Sequence, residues 1–244
     1  MQIYETYAGR KMAEDRTYTC IRKNGQEAVE RQAVLAEHGI DISVNGRWIT
    51  KAVCSPQYLT ELVLGHLYTE GLVETVTQIE SCRIEGDGTR AEVVLNPSAE
   101  DGKKKLRPVQ PIEWTKEQIF HLAELFAEGM PLHEKTWGTH SCLLAQEDRV
   151  LFVCEDIGRH NALDKVVGYA LRSGIDLTRC IVYSSGRVPL DMAAKAVMAG
   201  IPVLAAKAVP TQEALRLAQR YRLTLIGAAR CDQMKVYTDD KAGE

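Results

Sequence analysis

Between residues 154 and 165 the chain reads Cys-Glu-Asp-Ile-Gly-Arg-His-Asn-Ala-Leu-Asp-Lys. Few stretches of this length hold so many groups able to do chemistry. This one packs two carboxylates, Glu155 and Asp156, an Arg, a His and an Asn, and the further pair Asp164 and Lys165 into one short segment. The segment is entered from an apolar strand, Leu151-Phe152-Val153, and Gly158 lets the backbone turn. Arg159, His160 and Asn161 then arrive where a helix begins. A cap and surface ion pairs account for any one of these residues. The density of the set points instead to the lining of a pocket at a strand end.

Three further turns carry polar groups. Ser184-Ser185-Gly186-Arg187 follows an apolar strand and precedes a helix near Pro189, so Ser185, Gly186 and Arg187 form a candidate anion site. Ala228-Ala229-Arg230-Cys231-Asp232-Gln233 follows the last long strand. It reads either as a plain hairpin or as backbone and Arg230 contacts to a nucleotide. Gly138-Thr139-His140-Ser141-Cys142 places an imidazole and a thiol two residues apart, on one face of a strand, as a candidate Cys/His pair.

The positioning elements follow from periodicity. Arg16–Cys20, Ile40–Val44 and Arg47–Lys51 read as strands, with Asn45-Gly46 as a hairpin turn. Ser55-Pro56 predicts a helix N-cap and first turn, with Leu59, Leu62, Val63 and Leu67 at helical spacing and Gly71 as the stop. A second hairpin is expected from Ile79 to Leu95 around Gly86-Asp87-Gly88, and a helix from Thr115 to Glu128. Asp101-Gly102-Lys103-Lys104-Lys105 reads as a solvated loop and marks a boundary between an N-terminal α+β part, 1–111, and a second domain, 112–244. Beyond Thr139 strands alternate with helices (Asn161–Arg172, Pro189–Met198 and Thr211–Tyr221), which predicts βαβ units and a largely parallel sheet covered on both faces. Gln146-Glu147-Asp148-Arg149 is a tight turn, so the first two strands of that domain form an antiparallel hairpin.

Bulk properties narrow the function class. The 244 residues carry a net charge of -3, which argues against a general nucleic-acid binder. No apolar run reaches membrane-span length and the N-terminus lacks a signal-peptide core, so a cytoplasmic location is expected. Seven scattered cysteines with no CxxC spacing form neither a disulfide framework nor a metal or redox pair.

Hairpin, His-bearing helix, strand, loop and second helix is also the order of the zinc deaminases. Those need H-x-E and P-C-x-x-C. Here His160 is followed by Asn161-Ala162 and the second site reads Ser185-Gly186-Arg187-Val188-Pro189, without cysteine, so no zinc or other metal is expected. With these actual words the chain resembles the formate dehydrogenase accessory protein family, FdhD/NarQ. The matching segments are Leu59–Leu72, Gly138-Thr139-His140, Glu155–Lys165, Ser185-Gly186-Arg187, Lys195–Leu204, and Leu225-Ile226-Gly227 to Val236-Tyr237-Thr238.

The resemblance implies a cytidine-deaminase-like three-layer α/β sandwich with a smaller N-terminal α+β part, and a homodimer. It implies a sulfurtransferase role in maturing a molybdenum or tungsten formate dehydrogenase, with sulfur passed from a cysteine desulfurase to the molybdenum bis(molybdopterin guanine dinucleotide) cofactor. It implies cofactor binding by His140, Arg159, His160, Asn161, Ser185, Gly186, Arg187 and the loop Ala228, Ala229, Arg230, Cys231, Asp232, Gln233. Family members carry the sulfur on a CxxC in the loop that here runs from Leu95 to Pro108 and reads LNPSAEDGKKKLRP. No cysteine occurs from Arg83 to Ser141. Cys142 and Cys231 are the substitutes to consider for sulfur transfer. Alternatives are a cofactor- or partner-binding module without sulfur transfer, and a degenerate deaminase-type enzyme.

Overall fold

The N-terminal strands alternate apolar and polar residues, and in the computed structural model, which describes residues 1–7, 9–97 and 104–240, they build two sheets. The strands are β1 (Gln2–Glu5), β2 (Ala13–Ile21), β3 (Glu27–Leu35), β4 (His38–Val44) and β5 (Arg47–Cys54), followed by helix α1 (Leu59–Thr69), β6 (Ile79–Glu85) and β7 (Arg90–Leu95). One sheet has the order β1-β6-β7-β4-β5, and β2 and β3 pair apart from it. The β4–β5 turn falls at Asn45-Gly46 as expected, with φ of 50° and 75°, the left-handed pair that a two-residue hairpin requires. Ile40, Ile42, Ile84 and Val93 of the sheet pack against Leu62, Val63 and Leu67 of α1.

The second half contributes α2 (Lys116–Ala127), α3 (Pro131–Thr136), β8 (His140–Gln146), β9 (Arg149–Asp156), α4 (Arg159–Ser173), β10 (Ile181–Ser184), α5 (Leu190–Ala199), β11 (Val203–Ala206), α6 (Gln212–Tyr221), β12 (Thr224–Gly227) and β13 (Lys235–Thr238). They form a six-stranded sheet, β13-β12-β11-β10-β8-β9. The three central strands β10, β11 and β12 are parallel, and each is buried along its length, which is why they read as unbroken apolar runs. β8, β9 and β13 are antiparallel flanks. Cys142, Leu144, Val182, Leu204 and Leu225 face α4, α5 and α6. Leu143, Ala145, Ile181, Tyr183 and Ile226 face α2. The expected alternation and two-sided cover are therefore present.

Helix α1 belongs to both halves. Nine of its eleven residues are buried, because one side packs on its own sheet and the other lies against α4. The helices meet backbone to backbone: a Cβ at Gly65 would lie 1.8 Å from the Asp164 carbonyl oxygen, and one at Gly168 would lie 1.8 Å from that of Glu61.

Three sequence expectations need correction. Ser55 does not cap α1. The helix begins at Leu59 after Tyr58, whose φ is 55°, and no side-chain hydrogen bond caps it. Ser55 is buried and bonded to β9 and α4 instead, as described below. The strand β3 and the short helix α3 were not foreseen, because β3 mixes charges on both faces and α3 is six residues long. The boundary loop falls largely on 98–103, outside the described residues. Lys104 is not merely solvated: its Nζ donates to the Met198 carbonyl at 3.1 Å and lies 4.5 Å from the centre of the Tyr68 ring. Val109 already packs in the core of the second sheet. No helix among the described residues is long and apolar enough to cross a membrane.

Candidate functional site

The chemistry gathers where β10, β11 and β12 end. Because β8 is antiparallel to β10, its first residue, His140, arrives at that same edge. Ser185 joins the two strands: its N–H donates to the Ser141 carbonyl at 3.0 Å and its Oγ accepts the Ser141 N–H at 3.0 Å. His140 Nδ1 lies 3.3 Å from the same Oγ. The loop after β12 is tied down by Ala228 N–H to Ala208 O at 2.8 Å and Ala229 N–H to Ala206 O at 3.0 Å. Tyr183 Oη donates to Ala229 O at 2.7 Å, and Arg230 N–H closes a turn on Gln233 O at 2.8 Å. The opposite wall is α2 and α3. Glu155 fixes α3 by accepting the Leu132 and His133 N–H groups at 2.9 and 2.7 Å and the Thr139 hydroxyl at 2.9 Å, a carboxylate at a helix N-terminus.

These elements enclose an open cavity of about 630 Å³, within the usual size of a small-molecule site. Its charged and polar lining includes His133, His140, Ser185, Lys207 and Arg230, with Met130 and Phe126 as apolar wall. Among the described residues Glu134 is the only acidic one in the lining, and its carboxylate is packed against Gly129. Burial, then the positive fields of Arg159, His133 and His160, push the His140 pKa below its ordinary value. The imidazole is thus mainly uncharged at neutral pH, able to accept or donate one hydrogen bond, while Lys207 and Arg230 supply fixed positive charge. Such a site suits an anion, and phosphate above all.

Of the residues singled out from the sequence, His140, Ser185 and Arg230 line the cavity. Arg159 stands just behind, its side chain lying across Gly186, where an added Cβ would come within 3.0 Å of it. His160 Nε2 is 2.8 Å from Asp191 Oδ2, an ion-pair distance but off the axis of a hydrogen bond, and Arg159 Nε is likewise buried without a hydrogen-bond partner among the described residues. Arg187, Asp232 and Gln233 are exposed and absent from the lining. The backbone N–H groups of Ala228 and Ala229 are used inside the protein.

Asn161 is engaged elsewhere, its amide donating to Val53 O at 2.7 Å and to Asp156 Oδ1 at 2.9 Å. Asp156 is fully buried and pairs with buried Lys165 at 2.5 Å; Lys165 also donates to Ser55 O at 3.0 Å, and Asp156 Oδ2 accepts the Ser55 N–H at 3.0 Å. Ser55 Oγ accepts the Ile157 N–H at 3.2 Å. A second buried group joins Asp164 to Lys195 at 2.9 Å and to Thr69 at 2.7 Å, with His66 at 3.2 Å. Much of the 154–165 string is therefore a bracket between the two halves rather than pocket lining.

Cys142 is corrected as a sulfur acceptor. It is fully buried on the α4–α5 side of the sheet, away from the cavity, and burial pushes its thiol well above the ordinary range. It makes no pair with His140. Cys231 is exposed one residue beyond Arg230, with Sγ 3.7 Å from Ala123 O. Lys207, His133 and Trp137 line the cavity unforeseen. The end of the run Leu204-Ala205-Ala206 could have signalled Lys207. His133 and Trp137 depend on α3, which gave no periodic signal.

A family model, FdhD/NarQ, matches residues 35–110 and 95–242. The chain belongs to the FdhD/NarQ family. It is 30% identical over 243 residues to the sulfur carrier protein FdhD of Geobacillus kaustophilus, covering 89% of this chain and 92% of that one. It is 31% identical over 223 residues to the protein of the same name from Methanothermobacter thermautotrophicus, covering 85% and 90%. Among solved structures it superposes on a formate dehydrogenase accessory protein of Desulfotalea psychrophila with a TM-score of 0.83 and 26% identity, covering 93% of this chain and 97% of that one. The α/β architecture is thus the family's own. Among the described residues, no group of three His, Cys, Asp or Glu side chains is placed to hold a metal ion.

Proposed function

We propose that this chain is an accessory protein for maturation of a formate dehydrogenase and that its cavity receives the guanine-dinucleotide end of the molybdenum bis(molybdopterin guanine dinucleotide) cofactor as cargo. The observation that carries this reading is the cationic cavity at the sheet edge, where Lys207, Arg230, His140 and Ser185 converge. The donor set suits pyrophosphate: two fixed cations, a hydroxyl and a largely neutral imidazole. The layer order, α4 to α6 on one face and α2 on the other, supports the deaminase-like sandwich expected from the resemblance. A cytoplasmic homodimer served by a cysteine desulfurase completes this reading.

For sulfur delivery the reading falls on Cys231, the exposed thiol beside the cavity. Its thiolate would attack the outer sulfur of a desulfurase persulfide, forming the new S–S bond as the desulfurase cysteine leaves as thiolate. The absence of cysteine from Arg83 to Ser141 favours a second reading, cofactor binding without sulfur carriage.

Titration calorimetry with GDP at low salt tests the binding step. Stoichiometric binding, weakened tenfold or more by Lys207→Ala or Arg230→Ala, is expected, and no guanine-nucleotide binding would overturn both readings. Intact mass after incubation with an active cysteine desulfurase and cysteine separates them: about 32 Da, one sulfur atom, on Cys231 supports carriage, and an unmodified chain supports binding alone.

A further inference from the structure

Trp137 stands in a conformation that a bulky side chain rarely adopts. It closes α3 with φ 56° and ψ 13°, its N–H donating to His133 O at 2.7 Å. Helices commonly end in this left-handed state, but with glycine there, because a Cβ costs roughly 1–2 kcal/mol. The next residue, Gly138, is not in that state; a Cβ there would meet a Leu35 methyl on β3 at 2.6 Å. Position 137, which would accept glycine, holds an indole.

Packing does not explain that indole. It is 76% exposed, and its aromatic neighbour is the His133 ring, tilted at 60° with centroids 5.9 Å apart. The other two tryptophans donate to protein groups, Trp48 to Asp41 at 3.3 Å and Trp114 to Asp239 at 3.0 Å. Trp137 Nε1 has no such partner among the described residues. Yet Trp137 lines the same cavity as Lys207 and Arg230. Backbone strain kept at a ligand cavity, with a large flat apolar group left open there, points to a ligand that uses the group.

We propose that Trp137 is a base-stacking residue: its indole face receives the planar base of a bound nucleotide while the phosphates lie toward Lys207 and Arg230. This inference rests on the nucleotide-binding reading above and adds to it the residue that separates a nucleotide from a bare polyphosphate. Stacking on an aromatic side chain is tolerant of base identity, so Trp137 selects for a planar heterocycle, and hydrogen bonds elsewhere choose among bases.

The test compares GDP with inorganic pyrophosphate on the full chain, by calorimetry, in the parent, Trp137→Gly and Trp137→Phe. Trp137→Gly should bind GDP roughly 5- to 150-fold more weakly and pyrophosphate as the parent does. It should also melt at a higher temperature, since glycine relieves the left-handed strain, so weaker binding cannot be put down to unfolding. Trp137→Phe should stay within a few-fold of the parent for GDP. In the parent, GDP should quench tryptophan emission, and the quench should vanish in Trp137→Phe. Unchanged GDP affinity in Trp137→Gly overturns the proposal. So does equal loss of GDP and pyrophosphate, or a change of oligomeric state showing that the indole is buried against another copy. A parent that binds pyrophosphate but shows no preference for GDP sinks this inference and leaves an anion site standing. A parent that binds neither sinks the nucleotide-binding reading and this inference with it.

Discussion

Replacing Gly168 with Ala tests the joint on which both halves depend. In the α1–α4 crossing, the added methyl carbon would lie 1.8 Å from the Glu61 carbonyl oxygen, 2.6 Å from its carbon and 2.8 Å from its Cα. Non-bonded heavy atoms settle near 3.5 Å, so the helices must part by about 1.5 Å at this point. Overfilling a packed interior by a methyl group typically costs about 1–3 kcal/mol. Parting the helices also pulls on the Arg172–Glu61 bond at 2.6 Å and the Thr69–Asp164 bond at 2.7 Å, both of which bridge α1 to α4. Losing one hydrogen bond to a charged group adds about 1.5–3 kcal/mol. Alanine returns about 1 kcal/mol through helix propensity. The expected net loss is about 3 kcal/mol, read as a drop in the urea midpoint at unchanged slope. Gly174→Ala is the control: it has φ 68° and nothing within 4 Å, so it should show only the left-handed penalty of about 1–2 kcal/mol. If Gly168→Ala proves no worse than Gly174→Ala, the close crossing is not what holds α1 to α4.

Three further outcomes follow. Lys165→Met should cost about 3–5 kcal/mol in chemical denaturation, because it leaves the buried Asp156 carboxylate without its cation. His140 binds its proton less readily folded than unfolded, so stability should be full above its ordinary pKa of 6.5 and fall as pH drops below it. His140→Gln should flatten that part of the melting-temperature profile between about pH 7.5 and 5.5. Alkylation of the native chain at about pH 8 with peptide mapping should label Cys231 first. Cys54, Cys82 and Cys154, pushed up to about 12 by burial, and Cys142, raised well above the ordinary thiol range, should stay unlabelled until unfolding. Early labelling at Cys142 would reopen it as a sulfur acceptor.

The elements were legible where local chemistry and burial agree. The Asn45-Gly46 hairpin, the α2 capping box of Thr115 and Gln118, and the apolar strands β10 to β12 each carry their own signal. The failures share one cause, which is that a distant partner took the residue. Ser55-Pro56 has the form of a helix start, but Ser55 is bonded to Asp156, Ile157 and Lys165, a hundred or more residues away. Cys142 and His140 alternate onto one face, yet His140 sits at the sheet edge and Cys142 two residues inside it, under α4 and α5. Strand periodicity gives the face and not the depth.

The polar string from Glu155 to Lys165 shows how a segment rich in chemical groups can be spent largely on holding elements together. Asp156, Asn161, Asp164 and Lys165 each bond groups from other elements: Ser55 and Val53 at the end of β5, Thr69 on α1, Lys195 on α5. A change at any of them strands a buried partner, so the whole set is constrained together even though none of the four lines the cavity. Two members of the string act beside the site: Glu155 holds its α3 wall, and Arg159, in the first turn of α4, lies behind Gly186. The cavity's own groups, Lys207, Arg230 and Trp137, stand singly on exposed turns with few protein bonds. Groups with few protein partners need no matching residues around them, which is why no dense motif surrounds them in the sequence.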